Sequence, residues 1–199
     1  MSESLIQVSE LHCERDDRVL FEGLSFNLCA GELVHVKGVN GAGKSTLLRC
    51  LAGLYSGYSG TIERSQMARS TKYFGHKINV KRNLTASENL EMYSLFCEAR
   101  QIDNLGALAE VGLAGYEHVL CSDMSEGQRR RVALASILTS GSKVCLLDEP
   151  FASLDRLGVE FLEQFLISLV EKGSLVVFTS HHQFDDERLR SLVLGSGYE

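Results

Sequence analysis

The sequence has one proline, no tryptophan and few aromatic residues, which make up 8% of its 199 positions. It also lacks the roughly 18 consecutive apolar residues of a membrane-spanning helix and the cationic-then-apolar start of a secretory signal. We therefore expect a chain that folds in the cytosol and reaches a membrane only through another subunit. The formal net charge is −6, and no run of Lys or Arg exceeds three residues. Binding to nucleic acid through neutralised phosphates is therefore not expected.

The six cysteines lack the spacing of a metal site or a redox pair. No two of them are separated by two residues, and several lie in apolar stretches. A chain of this length can bury roughly 70% of its unfolded surface, so it needs no disulfide to hold a core. We predict reduced, buried thiols at Cys13, Cys29, Cys50, Cys97, Cys121 and Cys145.

Short apolar runs bounded by glycine alternate with helical patterns along most of the chain. Four runs predict strands of a mostly parallel sheet, at residues 32–37, 72–74, 143–147 and 175–179. Apolar residues recur on one face between Leu157 and Val170, which predicts a helix packed on that sheet. The only proline, Pro150, marks the exit from the third strand.

The stretch from about residue 79 to 140 differs, because it shows no strand pattern. Thr85 and Glu88 form a capping-box pattern that opens a helix predicted to run to about Cys97. A second helix is predicted near residues 104–111. We interpret this stretch as a helical subdomain inserted in one α/β domain that spans residues 1–199.

A phosphate-binding loop lies between the strand predicted at residues 32–37 and a helix. Its sequence fits the pattern G-x-x-x-x-G-K-[ST], in which glycines let backbone N–H groups surround phosphate oxygens. Lys44 is predicted to reach the terminal phosphates, and Ser45 to ligate Mg²⁺ at the helix N-terminus. The predicted nucleotide-binding residues here are Gly38, Val39, Asn40, Gly41, Ala42, Gly43, Lys44, Ser45 and Thr46.

Two adjacent carboxylates, Asp148 and Glu149, follow the apolar run at residues 143–147. The strand-end position predicts that Asp148 lies near the bound metal. Glu149 is predicted to polarise the water that attacks the γ-phosphate, which requires a carboxylate that does not bind the metal. Together with the phosphate loop, the pair predicts hydrolysis of a nucleoside triphosphate with Mg²⁺ as a cofactor.

A third motif, Met124-Ser-Glu-Gly-Gln128, lies between the other two and precedes a helix. Ser125, Gly127 and Gln128 would form a second anion site there, from a hydroxyl and backbone amides at a helix start. By itself, such a pentad more often only caps a helix.

The three motifs, in this order, resemble the nucleotide-binding domain of the ABC ATPases over residues 5–195. Asp155 lies in a segment that resembles the family's D-loop, and His181 resembles its catalytic switch histidine. The resemblance implies an α/β P-loop domain with an N-terminal antiparallel part, a mostly parallel core and a helical subdomain. It also implies a head-to-tail dimer with two ATP molecules, in which Ser125 and Gly127 contact the γ-phosphate held by the second copy.

The sequence departs from the family pattern at three places. His76 stands where the family has a Mg²⁺-ligating glutamine, so we expect a neutral His76 to ligate the metal or hold the attacking water. The aromatic residue that stacks on adenine is missing around residues 15–18, where Phe21 or His12 are the substitutes. Met124 replaces a leucine, a swap that conserves volume.

Several segments, among them residues 13–16, 75–76 and 130–135, are similar to the ATP-binding subunits of cytochrome c maturation transporters, also called haem exporters. This similarity implies a peripheral protein on the cytoplasmic face of the bacterial inner membrane. Its partners would be CcmB-like or CcmC-like polytopic subunits. The process that it drives would be haem export or release of a haem-loaded chaperone. The helical subdomain would dock on those subunits through apolar residues such as Leu84, Met92 and Phe96.

Other interpretations remain open at this point. A soluble, non-transport ABC-type ATPase would resemble a longer chain with a second cassette or a coiled-coil insertion, and a transporter subunit for another substrate shares every motif. A small-molecule kinase would need neither the third motif nor Glu149, and a non-catalytic ATP-binding module would not need the hydrolytic residues. We expect His182 to have no chemical role and residues 129–131 to form a solvated, partly docked helix face.

Overall fold

The N-terminal part of the fold is an antiparallel sheet. The computed structural model describes residues 3–75, 79–94, 103–152 and 154–195. Strand β1 (Ser4–Arg15) pairs with β2 (Arg18–Cys29) on one side and, further along the chain, with β4 (Ser59–Arg64) on the other. Asp16 and Asp17 join β1 to β2 with φ angles of 53° and 58°. Two such residues form the tight turn whose twist matches the flanking strands.

The second sheet is parallel, as the sequence predicts. It contains β3 (Leu33–Lys37), β5 (Thr71–Phe74), β6 (Val144–Asp148), β7 (Leu175–Thr179) and β8 (Leu189–Val193), in the order β5-β6-β7-β3-β8. Strands β6 and β7 are buried at every position, as expected where both faces of a sheet are covered. The sequence does not predict β8, because its partly exposed side chains give it no apolar run.

The register aligns the carboxyl ends of three strands. Val36 of β3 and Asp148 of β6 both pair with Thr179 of β7. Residues that follow these strands therefore meet at one edge of the sheet, where ligands bind in open α/β folds.

The described residues form five α-helices, three of which lie in the predicted helical stretch at residues 79–140. The helices are α1 (Lys44–Leu51), α2 (Ala86–Ser94), α3 (Asn104–Glu110), α4 (Glu126–Ser140) and α5 (Arg156–Glu171). The capping box of α2 is confirmed, because the Glu88 amide donates to Thr85 Oγ1 and the Thr85 amide donates to Glu88 Oε2. Cys97, the predicted end of that helix, lies outside the described residues. No strand occurs in the described parts of residues 79–140.

One hydrophobic cluster joins the helical stretch to the sheet. It contains Leu90 of α2, Leu108 of α3 and Leu134 of α4, together with Leu147 and Phe178 of the sheet. The helices at 86–140 therefore share their core with β6 and β7. Helix α5 packs on the same cluster through its predicted stripe, with buried side chains at Leu162, Phe165, Leu166, Leu169 and Val170.

The cysteines that the structure describes are all free thiols. Burial raises the pKa of Cys50 and of Cys145 to about 12, so both stay protonated and unreactive at neutral pH. The prediction of reduced thiols is confirmed for the described five, but Cys29 is only half-buried and the prediction of burial is wrong there. Cys97 lies outside the described residues. None of the described helices has the length and apolar character needed to cross a bilayer.

Candidate nucleotide site

The phosphate loop connects β3 to α1 through two glycines that no other residue could replace without strain. Gly38 has φ 155° and Gly43 has φ 88°. A Cβ on Gly38 would lie 2.9 Å from the Leu194 carbonyl oxygen, and one on Gly43 would lie 2.9 Å from Leu20 Cβ. The backbone at these positions is therefore reserved for glycine.

The start of α1 has the features of an anion site. Gly43 at the N-cap provides no side-chain hydrogen bond, so the first amides of α1 have no side-chain acceptor at the cap. Lys44 Nζ donates to the carbonyl oxygens of Gly38, at 2.7 Å, and Val39, at 3.2 Å. The ammonium group is thereby placed at the mouth of the loop, close to where the amides point.

Asp148 is the centre of a cluster of hydroxyl groups. Its Oδ1 accepts from Ser45 Oγ at 2.8 Å and from Thr179 Oγ1 at 2.9 Å, and its Oδ2 accepts from Tyr73 Oη at 3.2 Å. Burial is the main cause that raises the pKa of Tyr73, so its hydroxyl stays protonated and able to donate. Ser45 and Asp148 are the two predicted metal ligands that lie among the described residues. They present adjacent oxygen atoms, and oxygen is the ligand atom that Mg²⁺ prefers.

Glu149 and His181 face each other beside this cluster. Glu149 has a φ of 51°, rare outside glycine, and its amide donates to Thr179 Oγ1 at 2.9 Å. Its Oε1 lies 3.7 Å from His181 Nε2, and the imidazole is largely exposed. A strained residue held by a neighbouring strand is typical of functional sites. The third predicted group, His76, lies outside the described residues.

The phosphate loop, Glu149 and His181 line one cleft of about 690 Å³, and Asp148 reaches this site through its hydrogen bond with Ser45. Its walls come from the phosphate loop, from Glu149, Ala152 and His181 beyond the parallel strands, and from the β1–β2 hairpin. The loop residues that line it are Asn40, Gly41, Gly43, Lys44, Ser45 and Thr46. Neither predicted adenine-stacking residue belongs to the lining: Phe21 is buried beneath Gly43, and the His12 ring lies 3.9 Å from Glu22. The prediction is wrong for Phe21, because β2 turns its side chain into the core, and for His12 it stays a prediction.

The third motif lies on a second cleft, of about 990 Å³. Ser125 caps α4, because its Oγ accepts from the Gln128 amide and its own amide donates to Gln128 Oε1. Gly127 and Gln128 line this cleft with Asp155, whose Oδ1 accepts from the Gly158 amide and caps α5. Among the residues that the structure describes, only Ala152 lines both clefts. The structure therefore brings the phosphate loop, Asp148, Glu149 and His181 together, and it keeps the third motif apart from them.

The three arginines of α4 are docked rather than solvated, so that expectation is only partly right. Arg129 donates to the Cys121 and Met124 carbonyls, and Arg131 lies over the Phe161 ring at 4.3 Å. The buried Arg130 donates to the Pro150 and Ala152 carbonyls, at 2.8 and 2.6 Å. Arg130 thus ties the helix of the third motif to the loop that follows Glu149.

The second histidine of the pair has a structural partner. His182 Nε2 lies 2.8 Å from Glu163 Oε1, and its ring lies 4.9 Å from Phe151. Thr179 and Tyr73, which hold Asp148, are functional positions that sequence reasoning misses. Of these two residues, the sequence could point only to Thr179, because it ends a predicted strand.

A parallel sheet with a glycine-rich phosphate loop and strand-end carboxylates defines a P-loop nucleoside triphosphatase. Residues 21–152 match the ABC transporter family, and the chain belongs to that family. It is an ATP-binding subunit that hydrolyses ATP in a transport-coupled reaction. Subunits of this kind work as dimers with membrane subunits.

Two curated relatives carry the same name, cytochrome c biogenesis ATP-binding export protein CcmA. The protein from Shewanella frigidimarina is 41% identical, over 97% of this chain and 95% of its own length. The protein from Photobacterium profundum is 43% identical, over 96% of this chain and 100% of its own length. An ABC transporter ATP-binding protein from Pyrococcus furiosus is 20% identical and shares the fold, with a TM-score of 0.82 over 96% of this chain and 98% of that chain.

Proposed function

We propose that this chain drives an ABC transporter of cytochrome c maturation by hydrolysing ATP. The names of the two relatives and the nearly complete overlap with both chains support this role. It would work peripherally on the cytoplasmic face of the inner membrane, with CcmB-like and CcmC-like subunits as partners. Haem export, or release of a haem-loaded chaperone, is the process that its ATP hydrolysis would power.

Each group in the first cleft receives a role from its position. Lys44 and the amides of the phosphate loop bind the phosphates, and Glu149 holds and polarises the attacking water. Mg²⁺, held by Ser45 and Asp148, would neutralise charge on the β- and γ-phosphates. His181, opposite Glu149, orients the γ-phosphate end of the nucleotide. His76 stays a predicted third ligand, to be tested by the His76→Gln variant.

We further propose that the complete site forms between two copies of the chain. The observation that carries this proposal is the separation of the two clefts, because no residue of the phosphate loop lines the cleft of Ser125 and Gly127. A second copy in head-to-tail orientation would bring the α4 N-terminus of one chain to the phosphate loop of the other. Its hydroxyl and amide donors are suited to a phosphate anion. Each copy, residues 1–199, would act as one ATPase domain.

The test is gel filtration of the Glu149→Gln variant with Mg-ATP. This variant keeps the volume and hydrogen-bonding capacity of the side chain but cannot activate water, so we expect bound ATP and a dimer. Turnover should fall roughly 10²- to 10⁴-fold. Lys44→Ala is the matched control, expected to lose tight ATP binding and to remain monomeric. A Glu149→Gln protein that binds ATP yet elutes only as a monomer would contradict the two-copy site.

A further inference from the structure

The position of the His181 ring depends on the residues on either side of it in the chain. Its Nε2 lies 3.7 Å from Glu149 Oε1, which is too long for a hydrogen bond, and the side chain is 65% exposed. A ring that is neither packed nor bonded can turn away from its target. The direction in which His181 points is therefore set by how its backbone is held.

Ser180, on one side of His181, is fixed at two atoms. It is buried, and its carbonyl oxygen lies 3.0 Å from His35 Nε2 on β3. Its Oγ accepts from the His182 amide at 2.8 Å, which closes a tight turn around His181. The orientation of His181 within this turn then follows from where the His182 side chain is held.

His182, on the other side, joins two separate parts of the fold. Its Nε2 lies 2.8 Å from Glu163 Oε1 on α5, and the ring donates because a carboxylate can only accept. The same ring lies 4.9 Å from the ring of Phe151, a buried residue of the loop that follows Glu149. Glu163 and His182 are each about one-third exposed, so their hydrogen bond is partly shielded from water. His182 thus lies between α5 and the loop that carries Glu149.

Helix α5 extends from this hydrogen bond to the second cleft. Its N-cap is Asp155, which lines that cleft, and Glu163 follows on the same helix about two turns later. A second copy of the chain is proposed to cover the second cleft. A helix moves as a rigid element over this distance, so the bond between Glu163 and His182 connects that surface to His181.

We propose that Glu163 and His182 are positioning residues for ATP hydrolysis, because their hydrogen bond holds His181 opposite Glu149. This proposal rests on the proposed function, which places His181 at the γ-phosphate end of the nucleotide. Neither Glu163 nor His182 is among the described residues that line the nucleotide cleft. Their effect therefore falls on the rate of hydrolysis and not on ATP binding.

The experiment measures kcat and KM for ATP in Glu163→Ala, in His182→Phe and in the double variant. Each single variant should lower kcat by at least about tenfold, as expected when a catalytic group is displaced, and leave KM within about twofold. His182→Phe keeps a ring beside Phe151 and removes the donor, so it separates the hydrogen bond from packing. The double variant should lose no more than either single variant, because all three lack the same bond.

Glu160→Ala is the matched control, since Glu160 lies one turn earlier on α5 and pairs with the exposed Arg156. It should turn over ATP like the unaltered chain. Glu163→Gln keeps an acceptor oxygen for the His182 ring, so it should recover kcat to within about threefold of the unaltered chain.

Unchanged kcat in Glu163→Ala or in His182→Phe would overturn the proposal. So would an equal loss in Glu160→Ala, no recovery in Glu163→Gln, or a loss in the double variant equal to the product of the two single losses. His181→Ala separates this inference from the proposed function. Lost turnover in His181→Ala with normal turnover in both single variants would overturn the positioning pair alone, whereas normal turnover in His181→Ala would overturn the role proposed for His181 itself.

Discussion

Tyr73 fixes the orientation of the carboxylate that is proposed to hold the metal. Its hydroxyl donates to Asp148 Oδ2, while Ser45 and Thr179 donate to Oδ1. Tyr73→Phe removes one donor and little volume, so Asp148 loses its orientation on one side. We expect the Mg²⁺ concentration needed for half-maximal ATP binding to rise by about tenfold, as for other groups that orient metal ligands.

Titration of ATP binding with Mg²⁺ measures this effect, and ATP binding in excess chelator should not change. Tyr116→Phe is the control, because Tyr116 is exposed and lies after α3 in the helical stretch. An unchanged Mg²⁺ requirement in Tyr73→Phe would mean that Ser45 and Thr179 suffice to orient Asp148.

His35 links the phosphate-loop strand to the segment that carries His181. Its ring stacks on Phe178, and its Nε2 lies 3.0 Å from the Ser180 carbonyl oxygen, to which the neutral ring donates. Burial lowers the pKa of His35, while the hydrogen bond to Ser180 acts in the opposite direction. The folded chain therefore holds His35 neutral at pH values where the unfolded chain binds a proton.

This difference in proton binding between the folded and unfolded chain determines how stability changes with pH. Because the unfolded state binds more protons, the free energy of unfolding decreases as the pH falls below the unfolded value of about 6.5. In thermal unfolding at about pH 7.5 and about pH 5.5, His35→Gln should lose less stability on acidification than the unaltered chain. His118→Gln, at an exposed position, should behave like the unaltered chain. Parallel pH dependence in all three proteins would exclude a contribution from His35.

At the scale of elements, Asn89 holds the start of the helical stretch. Its fully buried side chain accepts from the Lys81 amide at 2.8 Å and donates to the Lys81 and Thr85 carbonyls, at 3.0 and 2.9 Å. Asn89→Leu removes these bonds and leaves backbone groups without partners. We expect a loss of about 2 kcal/mol in the free energy of unfolding, measured with urea.

The control for this variant lies on the same helix. Ser87→Ala removes a half-buried hydroxyl and should change stability by less than about 0.5 kcal/mol. A loss in Asn89→Leu no larger than that of Ser87→Ala would show that the loop at residues 81–85 is held by other contacts.

How far the sequence predicts an element depends on whether its signal is local. The phosphate loop, the buried strands and the capping boxes at Thr85 and Ser125 are predictable, because a few neighbouring residues determine each of them. Thr179 and Tyr73 reach Asp148 only through the pairing of β5, β6 and β7, which are distant in sequence. Arg130 appears as a surface charge until the fold brings Pro150 and Ala152 beside it.

At the scale of the molecule, the helical stretch presents apolar surface at positions other than those predicted. Leu84 and Met92 are half-buried, and Phe96 lies outside the described residues, whereas Leu105 and Leu120 are exposed. If the helical stretch docks on a membrane subunit, Leu105→Glu and the charge reversal Glu91→Lys should reduce co-sedimentation with membranes that contain the partner. Soluble ATP binding should not change.

Glu63→Lys serves as the control for this docking test, because Glu63 is exposed on β4 of the antiparallel sheet. Co-sedimentation that remains unchanged in both helical variants would contradict docking through the helical stretch. Loss in all three variants would indicate a general effect of charge rather than a docking surface.

The dimer itself can be tested by mixing two defective chains. Both carry Glu149→Gln to prevent hydrolysis; one also carries Lys44→Ala, which disables its phosphate loop, and the other Ser125→Arg, which disables its α4 N-terminus. In a head-to-tail dimer every site combines the phosphate loop of one copy with Ser125 of the other. Each variant alone should therefore stay monomeric with Mg-ATP, while the mixture retains one intact site for every mixed pair.

We expect the differently tagged chains to co-purify only when Mg-ATP is present, and only from the mixture. If Ser125 instead acted on the phosphate loop of its own chain, every molecule in the mixture would be defective and no pair would form. The Ser125→Arg chain must still bind ATP by itself, because its own first cleft contains no part of α4. Loss of ATP binding in that chain, or ATP-independent pairing of the two, would therefore refute a site shared between copies.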